Sequence, residues 1–357
     1  MNDSAPHGGA SFRAIGEDFQ HLERQSRVIT ADVLDAWFDP APQVLEKLRE
    51  FLPFLARTSP PIHAEGLVEA IAAARGISPR ALLTGSGSSS LLFTCLPRLI
   101  EPGQTILRLD PMYSEYDHLC RHIIGAQVVT CPLTDFRVDA DAMLALVAEH
   151  RPHAVLLVNP NNPTGRLWPR ADVIRFLDEL PPETLVLIDE TYIDYVPGAE
   201  SLEALSTLRP KLFVLKSMSK VYALSGLRVG YLTGEPSAIS GLARLMPPWP
   251  VSLMAQVAAV EALRQPAYYQ QCWRETAELR RVQLDRLKVF TSHDTDVNWY
   301  LLEHDEAHRL ASALEREDIV LREFDDTPSG FGHRFLRIAV KTEAENLRIA
   351  NALLEAL

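Results

Sequence analysis

The segment Ser217-Met218-Ser219-Lys220-Val221-Tyr222-Ala223-Leu224-Ser225-Gly226-Leu227-Arg228 puts hydroxyls just before an amine and a guanidinium eight residues after it. A neutral lysine amine condenses with an aldehyde to a Schiff base, and burial or a cationic neighbour favours the neutral form. Ser217, Ser219 and Arg228 supply donors for a phosphate on the same molecule, the arginine bidentately. An aldehyde that carries a phosphate describes pyridoxal 5′-phosphate (PLP). A surface lysine is the plainer reading of Ser-x-Ser-Lys alone. Lys216 is a nearby second amine without the flanking pattern.

Other groups suited to that molecule recur along the chain. Gly85-Ser86-Gly87-Ser88-Ser89-Ser90 runs into Leu91-Leu92-Phe93, a helix start, where backbone N–H groups can face a phosphate. Asn159-Pro160-Asn161-Asn162-Pro163-Thr164-Gly165 follows an apolar run, and an asparagine there can donate to a phenolate oxygen such as O3′. Asp189 closes another apolar run, where a carboxylate needs a cationic or hydrogen-bonded partner. A pyridinium N–H meets that need and keeps the ring an electron sink. Tyr192 can reach O3′, and Tyr113 can stack on the ring. Arg337 can fork onto a substrate carboxylate, and Arg322 can meet a more distant anion. Taken singly, these are also ordinary turns, a helix-capping aspartate, a packing tyrosine and solvent-facing strand arginines.

The elements that must position these groups follow from periodicity. Thr105–Leu109, Ala154–Val158, Leu185–Ile188 and Leu212–Leu215 are short unalternating apolar runs, which predict strands buried on both faces. Amphipathic stretches such as Arg170–Leu180 lie between them, so the pattern is α/β with a mostly parallel sheet. The candidate residues follow the strand ends, where open α/β sheets bind ligands. Met246-Pro247-Pro248-Trp249-Pro250 breaks the chain. A helical stretch over about 252–288, kinked at Pro266, and strands over 297–302 and 335–340 then suggest a smaller α+β domain. The division expected is an N-terminal arm over 1–40, packed on the small domain or a partner subunit, a cofactor-binding domain over 41–246 and a small domain over 247–357. The 357 residues carry a formal charge of −12, which argues against a nucleic-acid footprint but leaves room for a local basic pocket. No run is apolar enough to span a membrane. The four cysteines show neither CxxC nor metal spacing, and there is no secretion signal, so a cytoplasmic protein without a metal site is expected.

These motifs, in this order from Leu34 to Leu357, resemble those of class I/II (fold type I) PLP-dependent aminotransferases. Within that family the chain is similar to histidinol-phosphate aminotransferase and threonine-phosphate decarboxylase. The resemblance implies a three-layer αβα large domain, a smaller C-terminal domain and a homodimer with sites at the interface. It implies that Lys220 is both Schiff-base lysine and proton shuttle and that Asp189 pairs with the ring nitrogen. Asn162 and Tyr192 then bond O3′, and Tyr113 stacks. Ser88, Ser89, Ser217, Ser219 and Arg228 hold the phosphate, and Arg337 takes the substrate carboxylate. An amino donor and a 2-oxo acid acceptor are the implied partners.

Departures fall in the substrate lobe. Trp37-Phe38-Asp39-Pro40 replaces an Asn-Glu-Asn-Pro segment, and Arg57-Thr58-Ser59-Pro60 replaces Arg-Tyr-Pro. They point to an amino acid or amino-alcohol phosphate other than histidinol phosphate. His7-Gly8-Gly9, the Pro248–Val251 hinge and Lys341 lean instead towards the decarboxylase relative. The bond at Cα that stands perpendicular to the ring decides between transamination and decarboxylation. Arg337 holding the carboxylate in plane favours the first. An intact lysine, aspartate and arginine set argues against a silent binding protein.

Overall fold

The protein is described by a computed structural model, which covers residues 9–324 and 331–357. Three sheets organise it. Strands β1 (Ile29–Thr30), β2 (Leu82–Gly85), β3 (Thr105–Asp110), β4 (Gln127–Pro132), β5 (Ala154–Val158), β6 (Leu185–Asp189), β7 (Leu212–Ser217) and β8 (Gly230–Thr233) precede the long C-terminal helices. After them come β9 (Thr291–His293), β10 (Trp299–Glu303), β11 (Ile319–Val320), β12 (Arg322–Glu323) and β13 (Phe335–Ala339). The main sheet has the order β2-β8-β7-β6-β5-β3-β4. Only β8 runs against the others. The four apolar runs read from the sequence are β3, β5, β6 and β7, four consecutive neighbours. Every residue of β5 and β6 is buried, which is why they read as continuous apolar runs.

Helices cover both faces of this sheet. Leu83 and Leu232 join a core with helices Gly87–Leu99, Ala140–His150 and Arg170–Glu179, while their chain neighbours Leu82 and Tyr231 join another with helices Pro42–Arg57, Glu65–Arg75 and Leu253–Leu263. Adjacent residues serve opposite cores because a strand's side chains alternate.

The stretch expected as one kinked helix is two, Leu253–Leu263 and Pro266–Arg286, separated at Arg264 and Gln265. Proline suits the first turn of the second, where its missing N–H is not needed. The glycine–serine helix begins earlier than expected, at Gly87 rather than at Leu91. A second sheet, β12-β13-β10-β9, is antiparallel and packs with helices Ala307–Glu315 and Glu343–Glu355. Strand β1 returns from the N-terminal region to pair in parallel with β11. No helix among the described residues is long and apolar enough to cross a membrane.

Gly230 sits where β8 meets the start of helix Gly87–Leu99. A Cβ there would lie 2.8 Å from the Ser88 nitrogen and 2.9 Å from the Lys216 oxygen, both backbone atoms that cannot swing aside. Gly230→Ala is expected to cost about 1–3 kcal/mol, read as a lower denaturation midpoint than wild type.

Candidate active site

Neighbouring strand ends converge on one cavity of about 600 Å³. Every candidate named from the sequence lines it: Ser88, Ser89, Tyr113, Asn162, Asp189, Tyr192, Ser217, Ser219, Lys220, Arg228, Arg322 and Arg337. Tyr113 follows β3, Asn162 follows β5, Asp189 ends β6, and Ser217 ends β7. Lys220 lies on the short helix Met218–Val221 that continues from β7.

At one end is a cradle for an anion. The first turn of helix Gly87–Leu99 brings Ser88 and Ser89, and no side chain caps it. Arg228 crosses this turn so closely that a Cβ on Gly87 would lie 2.5 Å from its Nη2. The guanidinium is aimed by Nη1, which donates to the Ser219 hydroxyl at 3.3 Å and the Ser225 carbonyl at 3.2 Å. Helix N–H groups, serines and a fixed guanidinium suit a phosphate.

Asp189 forms the floor. Its Oδ1 accepts from the Thr191 backbone at 2.9 Å and the Thr191 hydroxyl at 2.6 Å, and its Oδ2 accepts from Tyr116 at 3.0 Å. Burial raises its pKa despite those bonds. Among the described residues no cationic side chain is within ion-pair distance. A cationic ring N–H suits such a carboxylate.

Tyr113 meets Tyr116 edge-on, with centroids 6.3 Å apart, and burial pushes its pKa up to about 12. Tyr192 is fixed edge-on by Trp299 at 4.7 Å, and burial raises its pKa as well. Both phenols therefore stay protonated at neutral pH and can donate hydrogen bonds. The oxygen of Asn162 accepts from Arg337 Nη1 at 2.8 Å, which leaves its NH2 to donate.

Arg337 reaches in from β13. Nη2 donates to the Asp32 carbonyl at 2.8 Å, whereas Nε is buried without a partner. Burial, with Arg322 adding to it, draws its pKa down to about 10, so it remains a cation at neutral pH. The ladder places Arg322 of β12 directly opposite Arg337. Both arginines line the cavity.

The other lysine has a different task. Lys216 is buried, 3.1 Å from Asp194, which also accepts from Arg75 at 3.1 Å. Arg75 donates to Tyr222 at 3.2 Å and to Tyr231 at 3.1 Å. This network fastens the chain on both sides of Lys220, whose carbonyl accepts from Tyr195 at 2.9 Å. Lys220 itself extends to Asp35, with Nζ and Oδ1 2.6 Å apart.

The family profile for class I and II aminotransferases matches residues 32–353. The chain belongs to that family. This aminotransferase is 32% identical over 298 residues to histidinol-phosphate aminotransferase of Moorella thermoacetica, covering 82% of this chain and 76% of the relative. It is 30% identical to the histidinol-phosphate aminotransferase of Aromatoleum aromaticum over 90% of each chain. The crystal structure of the Sinorhizobium meliloti histidinol-phosphate aminotransferase, in complex with pyridoxal 5′-phosphate, superposes with a TM-score of 0.87 at 25% identity, covering 99% of this chain and 95% of that one. L-Threonine-O-3-phosphate decarboxylase of Porphyromonas gingivalis shares the fold, with a TM-score of 0.79 at 22% identity over 92% and 99% of the two chains.

Several residues of the aminotransferase site were not found from sequence. Thr191 had a local signal, a hydroxyl two residues after a strand-end aspartate, which forms a turn onto it. Tyr116 is one helical turn from Tyr113. Asp35 is 185 residues from Lys220 and had no signal in its own surroundings. Of the three pointers to a decarboxylase, His7 and Gly8 lie outside the described residues. Lys341 is buried and does not line the cavity.

Burial alone would raise the pKa of Asp194, but Lys216 and Arg75 outweigh it and hold the group at about 2, below its ordinary 3.8. A depressed carboxylate stabilises the fold above its unfolded pKa, and that contribution vanishes as pH falls through the folded one. Wild type should therefore lose roughly 2 kcal/mol from this group as pH drops from 3.8 to about 2. Denaturant titrations over that range should show the loss, and Asp194→Asn should lack it.

Proposed function

We propose that this chain is a PLP-dependent aminotransferase acting on a primary amine that also carries an anionic group, an amino acid or an amino-alcohol phosphate. One observation carries the reading: a lysine amine, an anion cradle and a buried acceptor for a ring N–H line the same cavity. Ser88, Ser89, Ser217, Ser219, Arg228 and the uncapped helix turn suit the cofactor phosphate. Asp189 suits the ring nitrogen, Asn162 and Tyr192 the phenolate oxygen, and Tyr113 the ring face. When bound, the cofactor supplies an aldehyde that takes up amines and a ring that accepts the electrons of a breaking Cα bond.

The chain's own residues do the rest. Lys220 is the covalent anchor and, once released, carries a proton to or from Cα. Asp189 keeps the ring nitrogen protonated by staying an anion at the cavity floor. The open edge of Arg337 takes the substrate carboxylate and holds it in plane, leaving the Cα–H bond exposed. Arg322, opposite Arg337, takes a second anion where the substrate carries one. The histidinol-phosphate aminotransferases it resembles act on a phosphate-bearing substrate, and the paired arginines support that class. The altered segments Trp37–Pro40 and Arg57–Pro60 support a different member of it.

The chain is further proposed to work as a homodimer in the cytoplasm. Phe51, Leu52 and Phe54 leave an apolar surface on helix Pro42–Arg57, and Phe93 is exposed at the cavity rim. The four cysteines are unpaired and buried, as in proteins of a reducing compartment.

Borohydride treatment of the PLP-loaded protein followed by peptide mapping should find the label on Lys220, in wild type and in Lys216→Met alike. Lys220→Arg should abolish both the label and turnover. An amino donor should bleach the visible band of the loaded enzyme, and a 2-oxo acid should restore it. Label on another lysine, or release of CO2 with no 2-oxo acid required, would overturn the reading.

A further inference from the structure

Next to the cavity, in contact with its lysine, is a carboxylate that the roles above leave unused. Asp35 comes from the loop between β1 and helix Pro42–Arg57, and its Oδ1 is 2.6 Å from Nζ of Lys220. Its side chain is 43% exposed, against 22% for that of the lysine, so it stands on the solvent side of the amine. Burial works against its charge, but Lys220, the Ser225 hydroxyl and the Lys341 amine together outweigh it, and its pKa is lowered. Lys341 is itself buried, and burial lowers its pKa although Asp35, Glu345 and Asp32 favour its charge. The Asp35 carboxylate keeps contact with water, so it remains an acceptor when Lys220 is engaged elsewhere.

Amine exchange puts a constraint on this position. The substrate nitrogen must take the place of the lysine nitrogen at the same carbon, so it must arrive beside whatever contacts Nζ. We propose that Asp35 is the docking site for the substrate's ammonium group, accepting from Lys220 in the free protein and from the incoming amine once Lys220 is engaged. This rests on the reading of Lys220 as the cofactor-bearing amine. The site then selects a primary amine that arrives as a cation, its charge at Asp35 and its anionic groups towards Arg337 and Arg322. A tertiary or quaternary amine lacks the hydrogens or the approach. No covalent step is assigned to Asp35; its contribution is a charge-assisted hydrogen bond.

The test uses the full chain without cofactor and ethylammonium as the probe. Lys220→Ala vacates the amine position while leaving the carboxylate, so calorimetric titration should show ethylammonium binding. Lys220→Ala/Asp35→Asn should bind it about tenfold more weakly or worse, the loss of one charge-assisted contact. Wild type should also bind it weakly, because its own amine occupies the place. Tetramethylammonium at the same ionic strength should bind none of them. Asp35 is partly exposed, so its substitution should not prevent folding, and Lys220→Ala/Asp35→Ser serves as a second double variant. Equal binding in single and double variants, or no binding in Lys220→Ala, would overturn the proposal. Borohydride labelling of the loaded wild type keeps the two readings apart: label on Lys220 with equal titrations overturns the docking site alone, and absence of label removes the anchor together with the docking role that rests on it.

Discussion

The floor of the cavity is a buried carboxylate that has no cationic side chain within ion-pair distance among the described residues. Asp189 ends β6, between Val158 of β5 and Leu215 of β7, in the middle of a sheet whose strands are buried on both faces. Three hydrogen bonds from Thr191 and Tyr116 orient it, yet its pKa remains raised. Burying an ionised carboxylate without a counter-charge is unfavourable by several kcal/mol, which few proteins tolerate without use for it. A protonated heterocycle placed against it supplies the missing charge and is itself held protonated. The remaining features decide where such a ring must lie.

They do so through supports independent of one another. The anion cradle depends on close backbone approach, with Gly87 and Gly230 leaving room where any Cβ would collide. The amine depends on a buried charge network: Lys216 before it and Tyr222 after it are tied to Asp194 and Arg75. The substrate wall depends on the second sheet, where the β12–β13 register sets two guanidiniums opposite each other. One sheet thus positions the residues proposed for the cofactor and the other the charge proposed for the substrate.

The main sheet's layout was legible because buried parallel strands leave continuous apolar runs, as Ala154–Val158 does. Strands β2, β4 and β8 were missed for the opposite reason. Two have only four residues, and β4 at the sheet edge is partly exposed, so neither kind stands out by period. The candidate site residues were readable because they follow strand ends in rare combinations. Asp35 and Tyr116 were not, since their partners, Lys220 and Asp189, are 185 and 73 residues away. Lys216 and Lys220 looked like rivals in sequence. Four residues of chain direct one into the buried network and the other into the cavity.

The charge state of the ring nitrogen tests the central claim most directly. PLP labelled with 15N in its ring, bound to wild-type protein, should give the NMR shift of a protonated pyridinium at neutral pH. In Asp189→Asn the shift should move to that of a neutral pyridine. A neutral ring nitrogen in wild type, or a pyridinium that survives the substitution, would contradict the account.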